Sequence, residues 1–185
     1  MDSFKLEKLV MKSGLGIKAT YVEKVLWEDQ VVWVKRTVDS KIARHPDLSK
    51  ACQPLRGHLA EVYGLFGMMG RGEKGAVAKK QKEFIEDVVQ GIEIISISTS
   101  LNNDEVIGIT IAGFKRVMNN KKIVMVTPFI AFDSEEYPLW ADVADCYREI
   151  EDEAFKYIYE RKYAQMELFD FVNEDKEEAG LEIRQ

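Results

Sequence analysis

The sequence predicts a single-domain α+β fold: a mainly antiparallel sheet of about six strands in two meanders, each followed by a helix, in the order βββα-βββα. Three observations carry this. Two sets of three alternating or β-branched segments are each closed by short polar turns, which favour hairpins over crossovers. After each set the apolar spacing changes from two residues to three and four. The chain of 185 residues, 46% hydrophobic and 31% charged, suits one domain with a sizeable core.

The first strand is expected over Phe4–Met11 and the second over Ile17–Leu26, where Ile17, Ala19, Tyr21 and Val25 alternate with Lys18, Thr20 and Lys24. Gln30–Val38 is the third, rich in valine and tryptophan. Ser13-Gly14-Leu15-Gly16 and Trp27-Glu28-Asp29-Gln30 supply the turns. From Asp47 to Phe66, Leu48, Cys52, Leu55, Leu59, Val62 and Phe66 recur at helical spacing, with Pro54 predicting a break near Gln53. The glycine-rich, basic stretch Gly67–Lys82 reads as a mobile loop. Ile92–Ser100, Glu105–Val117 and Lys121–Phe132 follow as strands, joined at Asn102-Asn103-Asp104 and Asn119-Asn120, with Pro128 marking an edge or a bend. A long helix over Tyr137–Tyr163 carries an apolar stripe from Trp140 to Ile158. Residues 1–172 are thus expected to form the domain, and 173–185 an acidic, disordered tail.

The first twenty residues hold four lysines and no continuous apolar run, so a signal peptide is not expected. No apolar run is long enough to span a bilayer. Two cysteines, Cys52 and Cys146, are too few for a disulfide framework, and a cytoplasmic location follows. The net charge of −6 conceals an asymmetry. Residues 1–130 hold twenty Lys/Arg against fifteen Asp/Glu, whereas residues 131–185 hold six against seventeen. Overall acidity argues against bulk attraction to DNA or anionic lipid, but leaves room for a local basic surface on the body.

Motifs for catalysis fail on context. Gly70-Arg71-Gly72-Glu73-Lys74-Gly75 has the spacing of a dinucleotide loop, but follows a helical pattern where such a loop must leave a strand. Gly14–Ala19 fits the variant spacing but runs into a strand. His45 and His58 are the two histidines and lack paired zinc spacing; His45-Pro46-Asp47 reads as a helix start. Cys52 and His58, six apart on a helix, do not share a face and cannot form a nucleophile pair. Asp142, Asp145, Glu149 and Asp152 share one helix face, which reads as a solvated face opposite the apolar stripe before it reads as a cation site. No enzyme, cofactor or metal is expected.

The constellation with chemical meaning is basic and aromatic. Trp33, Lys35 and Arg36 lie in the third strand, and Lys115, Arg116, Lys121 and Lys122 flank the Asn119-Asn120 turn. Arg71, Lys74, Lys79 and Lys80 fill the glycine-rich loop. Cations that track phosphates, with rings that stack on bases, are what single-stranded nucleic acid requires. The competing reading makes Trp33 and Phe114 core and the lysines solubilising. Past the long helix, Leu168, Phe169 and Phe171 lie among acids, either docking a partner or packing back on the sheet.

Asn119-Asn120-Lys121-Lys122-Ile123-Val124-Met125-Val126-Thr127-Pro128 together with Tyr159–Phe169 resembles small proteins encoded by tailed phages and prophages among replication and recombination genes. The resemblance covers the C-terminal half and implies an accessory role in DNA metabolism. The expectation is therefore a non-enzymatic accessory protein that binds single-stranded DNA, with the acidic C-terminus modulating binding or recruiting a protein partner. The alternative is a protein-interaction module, such as a phage-encoded inhibitor of a host enzyme, acting through the acidic helix. A homo-oligomer is compatible with either.

Overall fold

The computed structural model describes residues 3–13, 15–66, 86–101, 106–117, 121–133 and 137–163. The Gly67–Lys82 stretch with Arg71, Lys74, Lys79 and Lys80, the two asparagine turns, Leu168, Phe169, Phe171 and the tail 173–185 lie outside these residues.

Strands β1 (Phe4–Met11), β2 (Ile17–Trp27) and β3 (Gln30–Ser40) precede helices α1 (Pro46–Ala51) and α2 (Leu55–Val62). Residues 86–90 are helical. Then come β4 (Ile92–Leu101), β5 (Ile107–Arg116), β6 (Lys122–Val126), β7 (Ile130–Ala131) and helix α3 (Trp140–Tyr159). One sheet runs in the order β3-β2-β1-β4-β5-β6, with β7 also on β5, and every described pairing is antiparallel. β1 and β4 join the two meanders at the centre through Lys8–Ser98, Leu9–Ile97 and Val10–Ser96. No described helix is long and apolar enough to cross a membrane.

The long helix is shorter than expected, Trp140–Tyr159 in place of Tyr137–Tyr163. Two prolines interrupt their elements, as the break expected near Gln53 and the bend expected at Pro128 anticipate, each for a backbone reason. The 47–66 segment is two helices, because Pro54 cannot donate into a continuous ladder and instead stands at the N-cap of α2. The 121–132 strand breaks at Thr127-Pro128-Phe129. There the Thr127 hydroxyl accepts from the Ile111 N–H at 2.9 Å and its own N–H reaches the Ile111 carbonyl at 2.9 Å, which carries β5 past the proline. Helix α1 begins where His45-Pro46-Asp47 predicts: the His45 side chain accepts from the Asp47 N–H at 3.3 Å, with Pro46 in the first turn.

All three labelled helices pack on one face of the sheet. Val143, Tyr147, Ile150, Ala154 and Tyr157 of α3, with Leu48, Ala51 and Leu55 of α1 and α2, cover Phe4, Leu6, Leu9, Ile17, Ala19, Tyr21, Ile97, Ile109 and Ile111. A second cluster sets Leu59 and Ala60 of α2 against Val88, Ile92 and Met125. Arg44 and Lys162 lock the far end. The Arg44 side chain bonds the Leu15 carbonyl at 2.9 Å, and Lys162 holds Asp47 and Glu153 at 2.8 Å each, tying the end of α3 to α1.

The β2–β3 turn is strained. Glu28 and Asp29 have φ of 46° and 62°, the left-handed pair that a two-residue hairpin needs and that glycine and asparagine adopt more readily. Replacing them together, Glu28→Asn with Asp29→Gly, is expected to stabilise the protein by about 1 kcal/mol, read as a higher urea midpoint. No gain would show that the turn relaxes elsewhere.

Candidate nucleic-acid interface

Successive strand residues point to opposite faces. With Ile17, Ala19 and Tyr21 turned to the helices, Lys18, Thr20, Val22 and Lys24 must face the other way, and the register extends this side across the sheet. Lys5, Lys8, Val10, Trp33, Lys35, Thr37, Ser98, Thr110, Phe114, Arg116, Lys122 and Val124 share it. No helix among the described residues covers this face. The sheet therefore separates an open, predominantly basic side from the outer surface of α3, where Asp142, Asp145, Glu149 and Asp152 are all exposed.

Trp33 is the centre of the open face. It is 46% exposed, because it sits where the β2–β3 hairpin outruns β1, and among the described residues only the two flexible lysines Lys5 and Lys24 reach its ring. The ammonium groups of Lys5 and Lys24 stand 5.3 Å and 5.2 Å from the ring centroid. Neither lysine forms an ion pair with a described carboxylate. The sequence reading missed both, although Lys24 could have been found: the Glu28-Asp29 turn places it directly opposite Trp33.

The other candidate cations divide. Lys35 is on the open face but ion-paired to Glu7 at 2.5 Å. Arg36 faces the helix side, opposite Tyr21, and is paired to Glu23, which also accepts from the Tyr159 hydroxyl. Lys115 likewise faces the helix side, opposite Ile92 and Ile123. Arg116 and Lys122 are on the open face over the Phe114 ring, at 5.8 Å and 4.0 Å. They leave Phe114 only 8% exposed, and Arg116 is held by Glu93 at 2.9 Å. Lys121 is exposed just before β6. The structure does not bring the Trp33 and Phe114 clusters together. Trp33 is level with the start of β1, where the Lys24 N–H meets the Ser3 carbonyl, and Phe114 pairs with Glu93 beyond the end of β1. Lys8 and Lys18 lie between them.

Beside the Trp33 cluster the sheet splits. β1 and β4 pair centrally and then part, and a cleft of about 520 Å³ opens between Lys5, Glu7 and Val22 on one side and Leu101 and Ile107 on the other. Tyr147 and Glu151 of α3 line it and replace the lost ladder. The Leu6 N–H donates to Glu151 Oε1 at 2.7 Å, and the Thr99 hydroxyl donates to the Leu6 carbonyl at 2.9 Å. The Tyr147 hydroxyl lies 2.6 Å from that carbonyl and 2.9 Å from the Glu151 carboxylate. Burial and that carboxylate push the Tyr147 phenol well above its ordinary pKa.

Nucleophilic chemistry finds no support in the thiols. Burial drives Cys52 up to about 12 and raises Cys146, so both stay protonated. His58 is buried, its pKa lowered by that burial, and its Nδ1 lies 2.9 Å from the Tyr137 hydroxyl. Among the described residues no group of three or more His, Cys, Asp or Glu side chains could hold a metal ion. Comparison of the chain with protein-family models, curated proteins and solved structures finds no match.

Proposed function

We propose that the chain binds single-stranded DNA on the open face of its sheet, as a non-enzymatic accessory protein of phage-type replication or recombination acting in the cytoplasm. The observation that carries this reading is the exposed Trp33 ring between the Lys5 and Lys24 ammonium groups. A base can stack on the ring once the two flexible lysines swing from it to the flanking phosphates, which is the pairing of stacking and charge that single strands require. A duplex keeps its bases stacked inside and offers no face to Trp33. We take the architecture as two βββα units, which gathers the helices on one side and leaves the other for the strand. The phage setting rests on the resemblance of Asn119–Pro128 and Tyr159–Phe169.

The test is fluorescence anisotropy with a labelled oligo-dT at rising salt. Trp33→Ala is expected to weaken binding by about 1–3 kcal/mol, roughly 5- to 150-fold. Lys5→Ala with Lys24→Ala should lower the salt slope by about 1.4, if each lysine neutralises one phosphate of a single strand. Arg36→Ala should change little, since that guanidinium is paired and faces the helices. Absence of binding at low salt would remove the reading. The exposed row Asp142, Asp145, Glu149 and Asp152 favours the second reading, a protein-interaction module or inhibitor. Neutralising that row would abolish an inhibitor and leave or improve DNA binding.

A further inference from the structure

Strand β3 is a sheet edge eleven residues long, paired along its whole length with β2 and, among the described residues, with nothing on its other side. Beyond Glu23 the β2–β3 hairpin projects past β1 as a two-stranded ribbon, with Leu26, Trp27 and Val31 each about two-thirds exposed. Natural edges of this length are usually blunted by proline, a bulge or unpaired charge. β3 has no proline and a regular register, and both of its cations are already neutralised within the chain, Lys35 by Glu7 and Arg36 by Glu23. Two such edges can therefore approach without like-charge repulsion.

The ladder geometry limits how they would meet. A two-residue turn makes Trp27–Gln30 a hydrogen-bonded pair, so Val32, Val34, Arg36 and Val38 spend their backbone groups on β2. The N–H and C=O groups of Val31, Trp33, Lys35 and Thr37 then face outward. The geometry points to a homodimer in which β3 pairs antiparallel with β3 of a second copy about a two-fold axis through Val34. In this register the outward-facing groups of Trp33 meet those of the partner's Lys35, and Val31 meets the partner's Thr37. The tryptophan gains a third cation on its open-face side, and Val34 packs on its own symmetry mate. A two-fold through Lys35 would instead oppose two lysines, which is unfavourable. The contact is self-complementary, as a closed two-fold interface must be. It joins two open faces edge to edge while leaving the rings exposed above the sheet. This inference concerns the edge of the sheet, and its test contains no nucleic acid, so its failure and that of the DNA reading are distinguishable.

The measurement is light scattering after size exclusion on the full chain, together with a cysteine cross-link. Opposed residues of a non-hydrogen-bonded pair have Cα atoms about 4.5 Å apart, within disulfide reach. Val34→Cys in a Cys146→Ser background should therefore give a covalent dimer under mild oxidation, and Leu26→Cys, on the inner strand, should not. Val34→Lys, which sets two ammonium groups against each other, should shift a dimeric protein to monomer with unchanged circular dichroism. A wild-type chain that is monomeric at every concentration would overturn the proposal. So would a dimer that neither cross-links at Val34→Cys nor responds to Val34→Lys, because another surface would then be holding it.

Discussion

Replacing Ile150 with alanine is expected to destabilise the protein by about 2–5 kcal/mol, against a total stability on the order of 5–15 kcal/mol. Ile150 is fully buried at the middle of the α3 stripe that runs Val143, Tyr147, Ile150, Ala154, Tyr157. These residues are three and four apart and so line one face of the helix. That face closes the core over Leu6, Leu9, Ile97 and Ile111. Truncation removes apolar area and leaves a void that β-strands, held by ladders on both sides, cannot collapse to fill. Urea unfolding at constant slope would read the loss as a lower midpoint. Asp152→Asn, two residues on and exposed, should stay within about 0.5 kcal/mol of the parent. Equal losses at the two positions would mean that α3 does not seat as described.

The contrast between those two positions was legible in the sequence, because helical periodicity separates Ile150 from Asp152 by face. The strand boundaries were legible for a related reason: alternation and the Glu28-Asp29 turn set the β2–β3 register, and the observed ends fall within two residues of the expected ones. Alternation also carried information that grouping residues by composition discards. Lys35 and Arg36 are neighbours in a strand, as are Lys115 and Arg116, so neither pair can serve one face. The structure puts Lys35 and Arg116 on the open side and Arg36 and Lys115 on the other. Two further features depend on strands distant in sequence. The Glu7–Lys35 ion pair spans two strands, across β2, and requires knowing that β1 is central. The exposure of Trp33 requires knowing that β1 stops level with Glu23. Aromatic residues in strands are usually covered, and only the tertiary arrangement overrides that rule here.

The split between β1 and β4 is the feature with no sequence signal, and Glu151 is the residue on which it depends. Glu151→Leu is expected to cost about 2–3 kcal/mol, since it leaves the Leu6 N–H without an acceptor in a part-buried site and removes one partner of the Tyr147 hydroxyl. Glu151→Gln keeps an acceptor oxygen at that position and should cost about 1 kcal/mol or less. The β1–β4 ladder ends at Lys8, so at Leu6, two residues beyond it, the side chains of one helix turn, Tyr147 and Glu151, stand in for a missing strand. Tyr147→Phe should cost less alone than Glu151→Leu, because Thr99 still donates to the Leu6 carbonyl. The two substitutions share Leu6 as a partner, so their effects should be non-additive, with a coupling of about 0.5–3 kcal/mol in a double-mutant cycle. Additive losses would show that the hydroxyl and the carboxylate hold Leu6 independently. If Glu151→Leu costs nothing, then β1 re-pairs with β4 toward Thr99, the cleft beside Lys5 closes, and the open face becomes a continuous sheet.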